Sequence, residues 1–103
     1  MKKVVLYQLN FGDPNIYRGS YLMKFPFDRS AYNKVYEYER DDNYCTAENA
    51  FYEFNTDLPK DFTGRSMSVS DIVAIDGNEY FCDSVGWKKV INGALVNIEE
   101  EKQ

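Results

Sequence analysis

Two aspartates and a group of serines are the residues of this sequence that could take part in catalysis. Asp71 and Asp83 could act as an acid and a base or bind a cation, and Ser66, Ser68 and Ser70 could act as nucleophiles. A serine nucleophile needs a neighbouring base, and the chain contains no histidine, the most common one. Serine and aspartate side chains near strand ends also satisfy turn amides. We therefore predict no catalytic residue, and a ligand or enzymatic site at Asp71 and Asp83 is the alternative.

The sequence predicts neither a cofactor nor a metal site. Its glycines are isolated from one another, so there is no Gly-rich loop that could cradle a phosphate. The absence of histidine also removes the most common zinc ligand. Cys45 and Cys82 are expected to be buried, reduced thiols, because the chain carries no sign of export, and a disulfide or a metal-binding pair is the alternative.

A second group of residues, between positions 36 and 53, interleaves tyrosines with carboxylates. Tyrosine is enriched at protein interfaces, and carboxylates attract basic partners. The alternative is a set of half-buried rings beneath a solvated acidic face. We predict a partner-binding surface that consists of Tyr36, Glu37, Tyr38, Glu39, Asp41, Asp42, Tyr44, Glu48, Tyr52 and Glu53.

The charge of the chain narrows the class of partner. Seventeen Asp and Glu residues stand against twelve Lys and Arg, which gives a net charge of −5. Phosphate backbones repel such a protein, so we expect no direct nucleic-acid binding. A host protein with a basic surface, such as a nucleic-acid-binding enzyme, is the expected partner.

The apolar segments are short. The longest runs, at residues 4–7 and 72–75, fall far below the roughly 18 residues that a membrane span needs. No signal peptide follows Met1-Lys2-Lys3. We therefore expect a cytoplasmic protein that makes no contact with a membrane.

The elements that must position these residues are predicted from periodicity and turn signals. Strands are expected at residues 3–10, 33–40, 72–75, 79–82, 87–91 and 94–98, and residues 17–27 are expected to be extended as well. The segment 72–75 is apolar on both sides, which is typical of a central strand. Asp76-Gly77 predicts the hairpin turn that follows it.

One helix is predicted at about residues 46–55. Thr46 can cap it, and a stripe of Ala47, Ala50, Phe51 and Phe54 should be buried. We predict a single α+β domain over residues 1–98, with a frayed acidic tail at 99–103. Its sheet should be mostly antiparallel, with about four to six strands and the helix packed on one face.

The second half of the chain resembles the YodL-like family. The resemblance rests on FNTDLPKDFTGRSMSVSDIV at residues 54–73 and on YFCDSVGW at residues 80–87, and it extends over about residues 3–91. It implies a small domain that is common on phages, plasmids and conjugative elements of Firmicutes. No enzymatic activity is attached to this family. Its namesake is associated with effects on cell-shape proteins of the actin-like cytoskeleton.

The positions shared with the family are consistent with a structural role. Glycines suit turns that need unusual dihedral angles, and Ser and Asp side chains can cap strand ends. We interpret as scaffold Gly64, Ser68, Ser70, Asp71, Asp83, Ser84, Gly86 and Trp87. A shared ligand site at Ser70, Asp71, Asp83 and Ser84 is the alternative.

The resemblance and the charge together lead to a functional hypothesis. Small acidic proteins of mobile elements often inhibit host machinery, including CRISPR nucleases, by blocking a basic groove. We therefore expect a non-enzymatic mobile-element protein that inhibits or modulates a host protein through the acidic, tyrosine-rich surface, with an anti-CRISPR type of inhibitor as the concrete form. The alternative is a modulator of actin-like cell-shape proteins that docks through an apolar surface near Trp87.

Overall fold

The computed structural model describes residues 1–41, 43, 45–56, 60–62 and 65–98, and within these it forms six strands and one α-helix. The predicted site residues Asp42, Tyr44 and Gly64, and the tail 99–103, lie outside the described residues. The predicted α+β architecture is confirmed. Its elements are β1 (Lys2–Gln8), a 3-10 turn (Arg29–Ala31), β2 (Asn33–Arg40), α1 (Ala47–Thr56), β3 (Ile72–Ile75), β4 (Asn78–Cys82), β5 (Trp87–Ile91) and β6 (Ala94–Asn97).

The strands form one sheet in the order β2-β1-β3-β4-β5-β6, and every neighbouring pair is antiparallel. All four residues of β3 are buried between β1 and β4, which confirms that it is a central strand. The pairing of β1 with β2 contains one irregularity, because Leu6 lies opposite Tyr36 while Tyr7 lies opposite Lys34. Val35 is the extra residue of this bulge and interrupts the regular alternation of side chains along β2.

Two tight turns link the last strands. The predicted turn between β3 and β4 is confirmed, with positive φ angles at Asp76 (49°) and Gly77 (85°). The same pattern recurs between β5 and β6 at Asn92 (52°) and Gly93 (78°). Positive φ at both central residues is the type I′ geometry that Asp-Gly and Asn-Gly pairs favour, because it matches the twist of the strands.

The sheet carries a separate apolar cluster on each face, because successive residues of a strand point to opposite sides. We call the first face the one with Val4, Leu6, Val73 and Ile75, and this cluster includes Ala50 and Phe54 of α1 together with Cys45, Met67 and Cys82. The second face carries a cluster of Leu9, Tyr32, Ile72 and Phe81. Cys45 and Cys82 are buried free thiols, as predicted.

The helix begins where its cap predicts. Thr46 Oγ1 accepts a hydrogen bond from the backbone N–H of Asn49 at 3.0 Å. Ala50 and Phe54 are buried, but Phe51 is 37% exposed, so the expected buried stripe is narrower than four residues. Phe51 lies at the margin of the contact, where its ring meets the edge of Trp87.

Residues 9–32, which we call the covering loop, lie between β1 and β2. The extended conformation expected for residues 17–27 is wrong, since this part of the chain forms successive turns. Asn15 causes the chain to fold back, because its side chain accepts from the N–H groups of Lys24 and Phe25 and donates to the Phe25 carbonyl. The loop contacts the cluster of the second face through Ile16, Met23, Phe27 and Ala31.

The helices of the described residues do not meet the requirement for a membrane span. The α-helix α1 has ten residues, and no described helix combines sufficient length with sufficient apolarity to cross a bilayer.

Candidate functional site

Asp71 lies immediately before β3 at the centre of a buried polar network. Its carboxylate accepts hydrogen bonds from Gln8 Nε2 (2.9 Å), from the backbone N–H of Ser68 (3.0 Å) and from Arg65 Nη2 (2.9 Å). Arg65 also donates through Nη1 to the carbonyl of Leu9. The network therefore ties the end of β1 to the segment that leads into β3.

The protonation of Asp71 reflects its burial. Desolvation raises the pKa of Asp71 to about 6, although the hydrogen bonds from Gln8, Ser68 and Arg65 act in the opposite direction. A carboxyl group that titrates near neutral pH is suited to general acid–base work. Asp71 is 0% exposed, however, so a substrate does not reach its oxygens in this conformation.

Ser70 fixes the covering loop from the other side of the same turn. It adopts a φ of 86°, which is unusual for a residue with a side chain, and it is fully buried. Its Oγ accepts a hydrogen bond from the backbone N–H of Tyr17, and its carbonyl accepts one from the hydroxyl of Tyr32. Burial raises the pKa of Tyr32, so this hydroxyl stays protonated and continues to donate.

Asp83 fixes the loop at a second point. Its Oδ1 accepts from the backbone N–H of Ser20 (2.9 Å) and of Ser84 (2.8 Å), and its Oδ2 accepts from Ser20 Oγ (2.6 Å). Burial acts to raise the pKa of Asp83, but the hydrogen bonds from Ser20 and Ser84 outweigh it and lower the pKa. A Cβ atom on Gly19 would lie only 2.6 Å from Asp83 Oδ1, so this approach requires glycine.

The two aspartates do not share a site. Gln8, a partner of Asp71, lies on the first face because it alternates with Leu6. Lys88, 3.9 Å from Asp83, lies on the second face, because it is paired with Phe81 and alternates with Trp87. Each carboxylate belongs to its own hydrogen-bond network. The ligand or enzymatic alternative at Asp71 and Asp83 therefore gains no support from their geometry.

The remaining motif residues surround these networks. Ser68 contributes its backbone N–H to Asp71, and Ser84 contributes its backbone N–H to Asp83. The carbonyl of Gly86, which has a φ of 71°, accepts from the N–H of Asp83, and this closes the turn before Trp87. These contacts are consistent with a scaffold role, which stays a prediction.

The predicted partner-binding residues are divided between the two faces of the sheet. Tyr36 and Tyr38 are half-buried on the first face, where both rings lie edge-on to Phe54. Glu37 and Glu39 are exposed on the second face, because they alternate with these tyrosines. The tyrosines and glutamates of β2 therefore do not form one continuous patch.

The other predicted binding residues lie around α1. Glu53 is held in a salt bridge with Arg40 at 2.8 Å, so its charge is compensated. Asp41, Glu48 and Tyr52 are exposed. Whether any of these residues contacts a partner stays a prediction.

The covering loop exposes apolar side chains that the sequence does not predict as a binding surface. Five large apolar side chains of this loop are between 51% and 89% exposed, and we call them the loop surface: Phe11, Tyr17, Tyr21, Leu22 and Phe25. Arg65 joins two of them, because its guanidinium lies 5.5 Å from the ring centre of Phe11 and 5.3 Å from that of Tyr17. Residues 11–25 lack a strict apolar–polar alternation, and this was the available sign that they form no half-buried strand.

Comparison with known proteins identifies a family. The family model described as the YodL-like domain matches residues 3–92, which extends from β1 to the turn after β5. The match confirms the resemblance inferred from the motifs, and β6 lies beyond it. Comparison with curated proteins gave no match, and comparison with solved structures gave none either.

Proposed function

The chain belongs to the YodL-like family, and we propose that it is a non-enzymatic domain that binds another protein. The loop surface is the observation that carries this proposal. A concentration of large exposed apolar side chains is typical of protein-binding sites, and all five belong to residues 11–25 of one loop. The loop is also held in place by Asn15, Ser70 and Asp83, so its backbone loses little additional freedom on binding.

The use of the buried carboxylates favours binding over catalysis. Asp71 receives three hydrogen bonds within the core, of which the one from Arg65 is also an ion pair, and Asp83 receives its hydrogen bonds from Ser20 and Ser84. Catalytic acids and bases need access to a reacting atom. These two side chains instead hold neighbouring segments of the chain together.

The proposed partner is a host protein with a basic surface. The net charge of −5 favours such a partner, and Glu39 and Glu48 expose carboxylates at the surface. Glu37 is exposed as well but pairs with Lys3 and Lys34 at 3.8 and 3.3 Å. In the concrete form that we propose, the protein acts in the cytoplasm and belongs to a mobile element. It blocks a basic groove of a host nucleic-acid-binding enzyme, as an anti-CRISPR type of inhibitor would.

A second candidate function is the modulation of an actin-like cell-shape protein through the surface near Trp87. Trp87 is half-buried, and its ring contacts the partly exposed Phe51. These two residues line a cavity of about 240 Å³ together with Cys82 and Gly86. An apolar side chain of a partner fits such a depression.

An affinity experiment with a host lysate separates these proposals. Tagged wild-type protein is compared with Tyr21→Ser/Leu22→Ser on the loop surface, with Glu37→Lys/Glu39→Lys on the second face, and with Phe51→Ser beside Trp87. These side chains are exposed, so each variant should fold as the wild type does. Circular dichroism and the midpoint of urea unfolding check this.

We expect a specific partner that the loop variant fails to retain and that the glutamate variant retains less well. The same loss must then appear by calorimetry with the purified partner. Selective loss with Phe51→Ser would favour the cell-shape candidate. A partner that all three variants retain equally would contradict both proposals.

A further inference from the structure

The covering loop encloses a cavity of about 500 Å³ on the second face of the sheet. Phe25 lines this cavity and is also 60% exposed on the loop surface, so the cavity adjoins the surface that we propose as the contact site. Most of the wall is apolar and consists of Leu9, Pro14, Met23, Pro26, Phe27, Ala31 and the ring of Tyr32.

The polar part of the wall consists of Asn15 and of two carboxylates, those of Asp13 and Asp28. Asp13 Oδ1 accepts from the backbone N–H of Asn15 at 2.8 Å, and Asp28 Oδ1 accepts from the N–H and Oγ of Ser30 at 3.0 and 2.6 Å. Among the described residues, no group donates to the Oδ2 atom of either aspartate. Each carboxylate therefore keeps one oxygen for a ligand.

Two of the three basic residues near the cavity in sequence, Arg18 and Arg29, are engaged elsewhere, whereas Lys24, between the wall residues Met23 and Phe25, is exposed and does not belong to the wall. Arg29 follows Asp28 directly, but its guanidinium forms two hydrogen bonds with Glu79, at 2.8 and 2.9 Å. Arg18 donates to the carbonyls of Pro14 and Leu22. No basic residue belongs to the cavity wall that the described residues form, and neither carboxylate forms a salt bridge within the described part of the chain.

We propose that this cavity receives a cationic side chain, an arginine or a lysine, from a protein partner. The aromatic rings of Phe25 and Phe27 can attract a cation, and the two carboxylates can accept its hydrogen bonds, while the Tyr32 ring already lies 5.9 Å from the Arg29 guanidinium. The apolar wall fits the aliphatic stem that both side chains carry. Arginine is favoured, because its planar guanidinium stacks on rings and binds carboxylates at the same time.

This inference rests on the proposed function, because the cation belongs to the bound protein. It also specifies where a basic side chain of that protein would bind. The partner would place one cationic side chain beside Phe25 while its apolar groups cover Tyr21 and Leu22. Such a central anchor surrounded by apolar contacts is the usual arrangement of an interface hot spot.

The test uses a small probe, so that it does not depend on identifying the partner. N-acetyl-arginine amide is titrated into ¹⁵N-labelled protein, and the amide resonances of Asn15, Phe25 and Tyr32 are followed. The matched neutral probe is N-acetyl-citrulline amide, which has the same shape without the charge. A single side chain should bind weakly, with a Kd on the order of millimolar.

The double variant Asp13→Asn/Asp28→Asn removes both charges and keeps the Oδ1 acceptors that hold Asn15 and Ser30. We expect about tenfold weaker binding of the arginine probe or more. The control is Asp76→Asn, at the β3–β4 turn, where Oδ1 accepts from the N–H of Lys3. It removes one charge away from the cavity and should leave the affinity unchanged.

Three results would overturn the inference: no saturable shifts with the arginine probe, equal binding of the citrulline probe, or equal loss in Asp76→Asn. Failure of the proposed function looks different. In that case the arginine probe still binds at the cavity, while no lysate protein depends on the loop surface. If a partner is found, it must lose affinity for Asp13→Asn/Asp28→Asn, and undiminished affinity would refute the assignment of the cavity to that partner.

Discussion

Replacement of Asp83 by alanine is expected to release the covering loop and to lower the free energy of unfolding by about 2–4 kcal/mol. The side chain is only 7% exposed and accepts hydrogen bonds from two groups of Ser20 and from the N–H of Ser84. A hydrogen bond to a charged group contributes about 1.5–3 kcal/mol. Since these donors are only partly buried, water replaces some of the bonds, and the expected loss is smaller than their sum.

The effect should depend on pH with a definite sign. The hydrogen bonds lower the pKa of Asp83 in the folded protein, so the ionised carboxylate stabilises the fold. This contribution is complete above the ordinary carboxyl pKa of 3.8 and is lost as the pH falls through the lower pKa of the folded state. The difference between wild type and Asp83→Ala should therefore shrink in strong acid.

Urea unfolding monitored by the fluorescence of Trp87, the single tryptophan, measures the loss, and amide hydrogen exchange locates it. Exchange should become faster at Tyr17 and Ser20 and change little in β3. Asp83→Asn is the matched control, because its Oδ1 can still accept from the N–H groups of Ser20 and Ser84. A loss below about 1 kcal/mol in the alanine variant, or unchanged exchange at Ser20, would refute the reasoning.

Three further predictions test the packing and the protonation. Gly19→Ala should lower the free energy of unfolding by about 1–3 kcal/mol, because its Cβ would lie 2.6 Å from Asp83 Oδ1. A variant as stable as wild type in urea would contradict this contact. Phe54→Ala should lower the free energy of unfolding by about 3–5 kcal/mol, because Phe54 is buried in the core. Tyr52→Ala, on the exposed side of α1, should change the free energy of unfolding little. Burial raises the pKa of Asp71 from 3.8 to about 6, so the folded protein holds this proton more tightly than the unfolded chain does. The free energy of unfolding should therefore fall by about 3 kcal/mol as the pH rises from about 4 through 6. Carbon NMR of the Asp71 carboxyl group should give a midpoint near 6, and a midpoint below 4 would exclude this effect.

The hairpin of β3 and β4 illustrates what the sequence specifies locally. The run Ile72–Ile75 is apolar on both sides, and the next two residues, Asp76 and Gly77, adopt the positive φ angles that their types tolerate. The start of α1 is local in the same sense, because Thr46 caps an amide only three residues ahead. The residues that form this turn and this cap are neighbours in the sequence, so composition and spacing predict them.

The covering loop could not be predicted in this way, because its conformation depends on distant partners. Tyr17 donates to Ser70, 53 positions away, and Ser20 donates to Asp83, 63 positions away. Periodicity within residues 17–27 carries no information about such bonds. The predicted binding residues of β2 are divided between the two faces of the sheet for a related reason. Alternation places Tyr36 and Glu37 on opposite sides of the strand, and the pairing of β2 with β1 decides which side faces the core.

The anchors of the covering loop suggest how the family motif relates to binding. Ser70 and Asp83 flank the β3–β4 hairpin, and the N–H of Ser70 bonds to the carbonyl of Cys82, so the two anchors lie side by side. The β3–β4 hairpin therefore positions the covering loop through the two buried residues at its ends, Ser70 and Asp83. Binding side chains on a loop can differ between proteins while a rigid scaffold keeps their backbone in place. If Ser70 and Asp83 act as such a scaffold, their replacement should weaken partner binding through the loop conformation, although neither side chain needs to contact the partner.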